Sequence, residues 1–320
     1  MSRKSAPFVT VDVFTAKSFL GNQLAIVKVG KESLSKEQKQ KIAREFNFSE
    51  TVFLYDDDPS QSPRVDIFTP VNEMDFAGHP VIGAGHVLFR NMLQQSPVST
   101  GDGQATRTLI TKAGPVIIRY DRESQVVSAE IPHDIHTHSK FTPAETLLVT
   151  QSSFQKGSNT GHLQTGYPVV SIVKGVTYVL ADFTNFPDLF ASVSASASPT
   201  VDLDDGWSPS FTGTMYYRRL GAPRMEQDTV VQDLRVRMIA INLEDPACGS
   251  GSAALAAFLA LRDGKENGKY RFNFDQGSEI GRQSYIIVEV LLNERGDGVS
   301  TILLAGEAAL VTNGWIRLPE

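Results

Sequence analysis

Apolar and polar positions alternate along residues 8–14, and residues 23–29 are again rich in β-branched and apolar side chains. Gly21-Asn22 between them signals a turn, so the two segments predict a β-hairpin. The period changes at Ser35. Ser35 and Gln38 have capping-box spacing, and Ile42, Ala43 and Phe46 share one face of an otherwise polar stretch, which predicts a surface helix ending near Asn47. Strands are predicted at 51–55 and 64–68. Gly78-His79-Pro80 then opens an apolar helix running to about Met92, with the proline where a first-turn residue needs no N–H. A polar loop around residues 96–104 and strands at 108–111 and 116–120 complete a first unit.

A second unit begins near Gln125 with a strand at 126–131 and repeats the style of the first. Its one long helix, 250–259, is small and apolar on every side, a pattern that belongs inside a sheet or barrel. Strands at 269–274, 284–292 and 300–305 close it, and 307–318 returns to the first unit. The predicted domains are therefore 1–122 plus 307–320, and 123–306. Residues 191–200, mostly serine and alanine, carry too little apolar bulk to pack and read as a loop without assigned function.

Composition narrows the class. At 320 residues, with 41% hydrophobic and 21% charged side chains, the chain fits two ordinary domains. No apolar run reaches the roughly 18 residues of a membrane span. The net charge is −6 with scattered lysines and arginines, which argues against nucleic acid as a partner. The first eight residues lead directly into a strand rather than into an apolar leader, so a cytoplasmic location is expected. The single cysteine, Cys248, has no internal disulfide partner, and no Cys/His spacing suits zinc. No nucleotide or flavin motif is present, and no cofactor is expected.

Two helix openings draw attention as candidate chemistry: Ala77-Gly78-His79-Pro80 and Ala247-Cys248-Gly249-Ser250. A helix N-terminus offers unpaired N–H groups and a partial positive charge, so two of them facing a common cleft hold an anion without any arginine. Alternatively the glycines only permit tight turns. His136 and His138, at alternate positions, share a face suited to a metal. Their segment reads more simply as a solvated loop, and no metal site is expected.

The segments 21–27, 48–53, Phe68-Thr69-Pro70-Val71-Asn72-Glu73-Met74-Asp75-Phe76-Ala77-Gly78-His79-Pro80, Glu244-Asp245-Pro246-Ala247-Cys248-Gly249-Ser250 and 276–282 resemble, in order, the signature segments of PhzF-like phenazine-biosynthesis proteins. The resemblance implies an α+β fold of the diaminopimelate epimerase type. In that fold two pseudo-symmetric domains each wrap a strongly curved mixed sheet around a central helix, with an active site between them, and commonly form a homodimer. It also implies that Glu50 is the proton-transferring residue and that His79, Asp245 and Ser250 contact substrate. Gly78 and Gly249 would offer backbone N–H groups to a substrate carboxylate, and Asn22 would line the site.

Read without the resemblance, Glu50 is an ordinary glutamate before an apolar strand or a carboxyl whose pKa partial burial raises towards working pH. His79 is a helix-start residue or a ligand contact. Asp245 suits a turn before Pro246, and Ser250 suits a cap. Cys248 stands where PhzF-like proteins often carry threonine and resembles the second catalytic cysteine of diaminopimelate epimerase. At a helix start its thiol could act as a base, yet the matching turn holds Gly78 and no second thiol exists. The expected activity is a cofactor-independent proton shift on a small carboxylate-bearing substrate. The alternatives are an amino-acid epimerase or racemase using Cys248, and a member of the family that binds a metabolite or protein without turnover.

Overall fold

A computed structural model describes residues 4–30, 34–56, 61–90, 103–151, 153–154 and 163–320. In chain order the elements are β1 (Ser5–Val13), β2 (Asn22–Lys28), α1 (Lys36–Phe46), β3 (Glu50–Tyr55), β4 (Arg64–Phe68), β5 (Glu73–Met74), α2 (Gly78–Arg90), β6 (Gln104–Thr111), β7 (Gly114–Asp121) and β8 (Val126–Glu130). Then follow β9 (His136–Thr137), β10 (Thr142–Pro143), α3 (Ala144–Thr150), β11 (Gly166–Tyr167), β12 (Val169–Val173), β13 (Val176–Asp182), α4 (Pro187–Ser192), β14 (Phe211–Arg219), β15 (Arg224–Glu226), β16 (Thr229–Ala240) and β17 (Leu243–Asp245). The chain ends with α5 (Gly249–Asp263), β18 (Lys269–Gln276), β19 (Ser284–Leu292), β20 (Val299–Gly306) and β21 (Ala308–Arg317). Two compact units divide these: Met1–Glu130 with Leu304–Glu320, and Ile131–Leu303.

Within the first unit the strands follow the order β21-β1-β2-β3-β4-β6-β7-β8. β2–β3 and β4–β6 pair in parallel and the rest antiparallel. Strands from both ends of this order, β21 and β1 at one and β7 and β8 at the other, pack on the same helix, α2, so the sheet curls around it. α2 is buried from His79 through Phe89, as an all-round apolar helix must be. Gly83 makes the approach possible: a Cβ there would sit 2.5 Å from Leu24 Cδ2 and 3.0 Å from Val13 Cγ2.

The period of two along β3 sorts its side chains. Leu24 faces Gly83 and pairs with Glu50, so Glu50, Val52 and Leu54 point towards α2. Phe53 points the other way, into a cluster with Val27, Ile42, Ala43 and Phe68 that docks α1 on the outer face. α1 carries the expected capping box, Ser35 with Gln38, and ends on Asn47 in the left-handed region.

The second unit repeats the pairing scheme. Its order is β9-β12-β13-β14-β16-β18-β19, again with two parallel contacts, β13–β14 and β16–β18, in the corresponding places. The central helix is α5, buried almost throughout. Tyr178 on β13 faces α5, whereas Val179 and Ala181 join Leu147, Phe183, Phe190 and Tyr216 in an outer cluster under α3 and α4.

Several details differ from expectation. β1 and β2 form the hairpin, but an eight-residue connection, 14–21, joins them instead of a tight Gly21-Asn22 turn. β8 belongs to the first unit because it pairs along β7, which moves the boundary from 122/123 to 130/131. Residues 91–102, with the expected end of α2 at Met92 and most of the polar loop at 96–104, lie outside the described residues.

The serine-rich stretch does pack, by polar means. Val193 is buried in the outer cluster. The buried Gln151 accepts from Ser194 N–H and donates to Ser194 O and Ser196 Oγ, and Ser196 O and Ser198 Oγ take the N–H groups of Asn242 and Ile241. The histidine segment is likewise no solvated loop. His138 is buried, with Nε2 2.9 Å from Ser171 Oγ and Nδ1 accepting the Asp204 N–H. His136 stacks on Trp207 at 4.5 Å and sets Nε2 2.8 Å from Asp204 Oδ2.

Candidate functional site

The polar residues of the 69–73 segment are explained by what holds them. Thr69 Oγ1 lies 2.7 Å from Asn72 Oδ1 and accepts the N–H groups of Val71 and Asn72, closing the loop on itself. A stripe on α1 at four-residue spacing then clamps it: Lys36 to Glu73 at 3.0 Å, Gln40 Nε2 to Thr69 O at 2.8 Å, and Arg44 Nε to Pro70 O at 3.0 Å. Such spacing puts the three side chains on one helix face. The chain leaving this loop enters α2 at Gly78 and His79 in a fixed direction.

His79 and Glu50 therefore meet. His79 is buried in the first turn of α2, and Glu50 begins β3 on the face towards that helix. His79 Nε2 lies 3.6 Å from Glu50 Oε2, beyond hydrogen-bonding distance. Among the described residues nothing hydrogen-bonds Glu50 Oε2. Loss of solvent raises the Glu50 pKa above the ordinary carboxylate range, and a hydrogen bond from Ser49 opposes the rise without cancelling it. A carboxyl so placed exchanges a proton near neutral pH more readily than a solvated one. Asn22 is buried at the start of β2, two residues before Leu24, the partner of Glu50, and so on the same face. In the first turn of α2 the proline removes one donor, and Val81 N–H is taken by Ala77 O at 3.3 Å.

The second unit builds its helix start differently. Asp245 Oδ1 accepts the Ala247 N–H at 2.9 Å, the turn role its position before Pro246 suggested. Gln276, fully buried on β18, spans the turn: its Nε2 donates to Asp245 O at 2.7 Å and its Oε1 accepts the Cys248 N–H at 3.2 Å. Gly277 follows at φ +76°, and a Cβ there would lie 2.5 Å from Arg282 O and 2.7 Å from Pro246 O, so no other residue fits against the turn. Cys248 caps α5, with Sγ accepting the Gly251 N–H at 3.4 Å, and Ser252 N–H bonds Cys248 O. Among the described residues this leaves the N–H groups of Gly249 and Ser250 without an acceptor. They are the donors a helix start presents to an anion.

Cys248 is not an activated thiol. Burial, seconded by the nearby Asp245 charge, pushes its pKa up to about 12, and these effects outweigh the hydrogen bonds made to the sulfur. Ser250, half buried, places its hydroxyl 2.7 Å from Tyr178 Oη. Neither Tyr178 nor Gln276 stood out as functional in the sequence. Tyr178 reads there as one more apolar strand residue, and only the specificity of the 276–282 segment pointed towards Gln276.

His136, His138 and Asp204 bring three donor atoms within 4.8 Å of one another. Both His138 nitrogens already hold hydrogen bonds and Asp204 is tied to Ser139 through N–H and Oγ. A metal would have to displace these contacts, which join β9 to the 202–207 loop. No described helix is long and apolar enough to cross a membrane.

The chain is similar to known proteins along most of its length. The family model described as PhzC-PhzF, phenazine biosynthesis-like protein, matches residues 11–314. An uncharacterised isomerase of Mesorhizobium japonicum is 30% identical over 325 residues, covering 96% of this chain and 97% of its own. The trans-2,3-dihydro-3-hydroxyanthranilate isomerase of Pseudomonas aeruginosa is 26% identical over 315 residues, covering 96% and 98%. Among solved structures, a Bacillus anthracis phenazine biosynthesis protein of the PhzF family matches with a TM-score of 0.69 at 20% identity, over 98% of this chain and all of the other. At that identity the likeness carries the fold, and it bears out the α+β architecture of curved sheets around central helices.

Proposed function

The chain belongs to the phenazine biosynthesis-like protein family and is an isomerase, and we propose that it shifts a proton within a small carboxylate-bearing substrate, with Glu50 as the single acid/base. The observation that carries this reading is the environment of Glu50: a carboxyl on the α2 face of β3, shielded from solvent, raised in pKa by that shielding, and 3.6 Å from a buried imidazole. As a carboxylate it removes a proton from carbon. As the neutral acid, which burial favours, it holds that proton and returns it to a second carbon on the same side of the substrate. One base serving two carbons yields a hydrogen shift, whereas inversion at one carbon calls for groups on both faces.

His79 orients a polar substituent beside Glu50, and Gly78 N–H contributes at the same helix start. In the second unit the N–H groups of Gly249 and Ser250 are donors suited to a carboxylate, with Asp245 fixing the turn that presents them. The proposed reaction is a proton transfer, the chemistry these side chains would supply. The high pKa of Cys248 speaks against the thiol-based epimerase alternative.

The name of the Pseudomonas relative supplies the first substrate to try, trans-2,3-dihydro-3-hydroxyanthranilate. Proton NMR in D₂O with this compound and a panel of small cyclic or unsaturated amino and hydroxy acids tests the proposal against a Glu50→Gln control. Isomerisation or deuterium uptake at carbon that disappears in the control supports it. Equal activity in the control moves the base elsewhere, and silence across the panel favours a binding protein.

A further inference from the structure

The hydroxyl of Tyr178 lies 2.7 Å from Ser250 Oγ and 3.4 Å from Cys248 Sγ, and the two partners stand 3.7 Å apart. The ring reaches this point because its register partner on β14 is Gly213. A Cβ at that position would come within 3.2 Å of Tyr178 Cε1. Phe211 holds the ring from its edge at a centroid distance of 6.1 Å. Tyr178 is 2% exposed, so its oxygen must find its partners inside the protein.

We propose that Tyr178 is a positioning residue that aims the Ser250 hydroxyl proton outward, at a bound substrate. The assignment follows from counting protons. Tyr178 has one to give and two neighbours. The sulfur is the longer contact and already accepts the Gly251 N–H, while 2.7 Å is an ordinary length for O–H···O. Tyr178 therefore donates to Ser250. Its own oxygen takes the Cys248 S–H, a weak donor with no better acceptor. Ser250 accepts from tyrosine, and its contact to sulfur, at 3.7 Å, is the longest of the three, so its proton goes to a better acceptor beyond the helix start, where it is half buried rather than sealed. Burial keeps Tyr178 protonated, with its pKa well above the ordinary phenol value, so the direction of donation holds across the working pH range. Sulfur, phenol and serine thus form one donor chain ending beside the Gly249 and Ser250 N–H groups, and Cys248 gains a role as its inner end without acting as a base.

This inference rests on the isomerase reading for its substrate, and two measurements keep the two apart. Steady-state kinetics with trans-2,3-dihydro-3-hydroxyanthranilate on Tyr178→Phe, Ser250→Ala and the double variant should show KM raised about three- to tenfold in each single variant, the scale of one neutral hydrogen bond. kcat should stay within about threefold, as for lost uniform binding. The double variant should be no worse than Ser250→Ala alone, since the two residues act as one unit. Additive KM effects, or a Tyr178→Phe variant with lower Tm and unchanged KM, overturn the inference in favour of simple packing.

The second measurement needs no substrate. With one cysteine in the chain, the infrared S–H stretching band belongs to Cys248, and it should shift to higher frequency in Tyr178→Phe while staying in place in Ser250→Ala. An unmoved band overturns the donor chain even if catalysis is intact. A shifted band in a protein that turns over nothing upholds the chain and sinks the isomerase reading instead.

Discussion

Gln276 holds Asp245 and Cys248 with opposite ends of one side-chain amide, donating 2.7 Å to the carbonyl of the first and accepting 3.2 Å from the N–H of the second. The turn between them is thereby closed without consuming the two N–H groups that follow it. Glu50 and His79 are arranged on the opposite plan: close, at 3.6 Å, and not bonded to one another. One helix start keeps its backbone donors open; the other sets a carboxyl of raised pKa beside a buried imidazole.

Glu50→Gln should lower the rate of proton exchange by about 10² to 10⁴, the usual worth of a general acid/base, and should raise stability at neutral pH. The sign follows from the raised folded-state pKa. Below the ordinary value of 4.5 the carboxyl is neutral folded or unfolded and costs nothing. As pH climbs through the folded-state pKa, the charged form penalises the native state. Thermal melts should show the variant a few degrees above the parent at pH 8 and level with it at pH 4. A variant that melts lower at pH 8 would mean the carboxylate is stabilised after all.

The local elements were legible in the sequence because their causes are local. Ser35, Gln38 and Asn47 declare both ends of α1, and the apolar composition of α2 and α5 declares that sheets surround them. Glu50 and His79 were reached through the resemblance; spacing alone left each as an ordinary residue at the start of an element. Tyr178 to Ser250 and Gln276 to Asp245 were illegible because each contact joins residues far apart in the chain, and neither side chain differs in type from its strand neighbours. The serine-rich stretch was misjudged for a related reason. Apolar content predicts packing only where packing is apolar, and here Gln151 and the Ile241-Asn242 turn supply polar anchors from 43 or more residues away.

Cys248→Ser should keep isomerisation within about threefold of the parent while retaining a cap at α5. With the thiol pushed up to about 12, alkylation by iodoacetamide at pH 7 should run at least about a hundredfold slower than for a free cysteine, since the thiolate is the nucleophile. Rapid labelling together with loss of activity in Cys248→Ser would restore the thiol as a base.

His86 imposes an acid limit on the first unit. It is fully buried in α2, its Nε2 sits 2.9 Å from Gly306 O, and burial lowers its pKa to about 4. A depressed folded-state pKa means the unfolded chain binds the proton first. The associated stability is complete above pH 6.5 and is lost as pH falls towards 4, on the order of 3 kcal/mol if the whole interval is crossed. Denaturation at fixed pH values across this window should show a steeper loss for the parent than for His86→Gln. Parallel curves would remove His86 from the acid response.

Arg237 and Glu244 form the most enclosed ion pair near the second helix start, bidentate at 2.8 and 2.6 Å with both side chains 5% exposed. The guanidinium also donates to the carbonyls of Phe190 and Ala191, so it ties β16 and β17 to the end of α4. Removing one partner leaves a desolvated charge behind, and Glu244→Gln should cost about 3 to 5 kcal/mol. Replacing both by Arg237→Met with Glu244→Leu removes the charges together and should cost much less than the single change, although the two carbonyls lose their donor. Urea midpoints at constant m-value read this directly. Equal losses for the single and double variants would show that the carbonyl contacts of Arg237, and not the ion pair, hold this hairpin against α4.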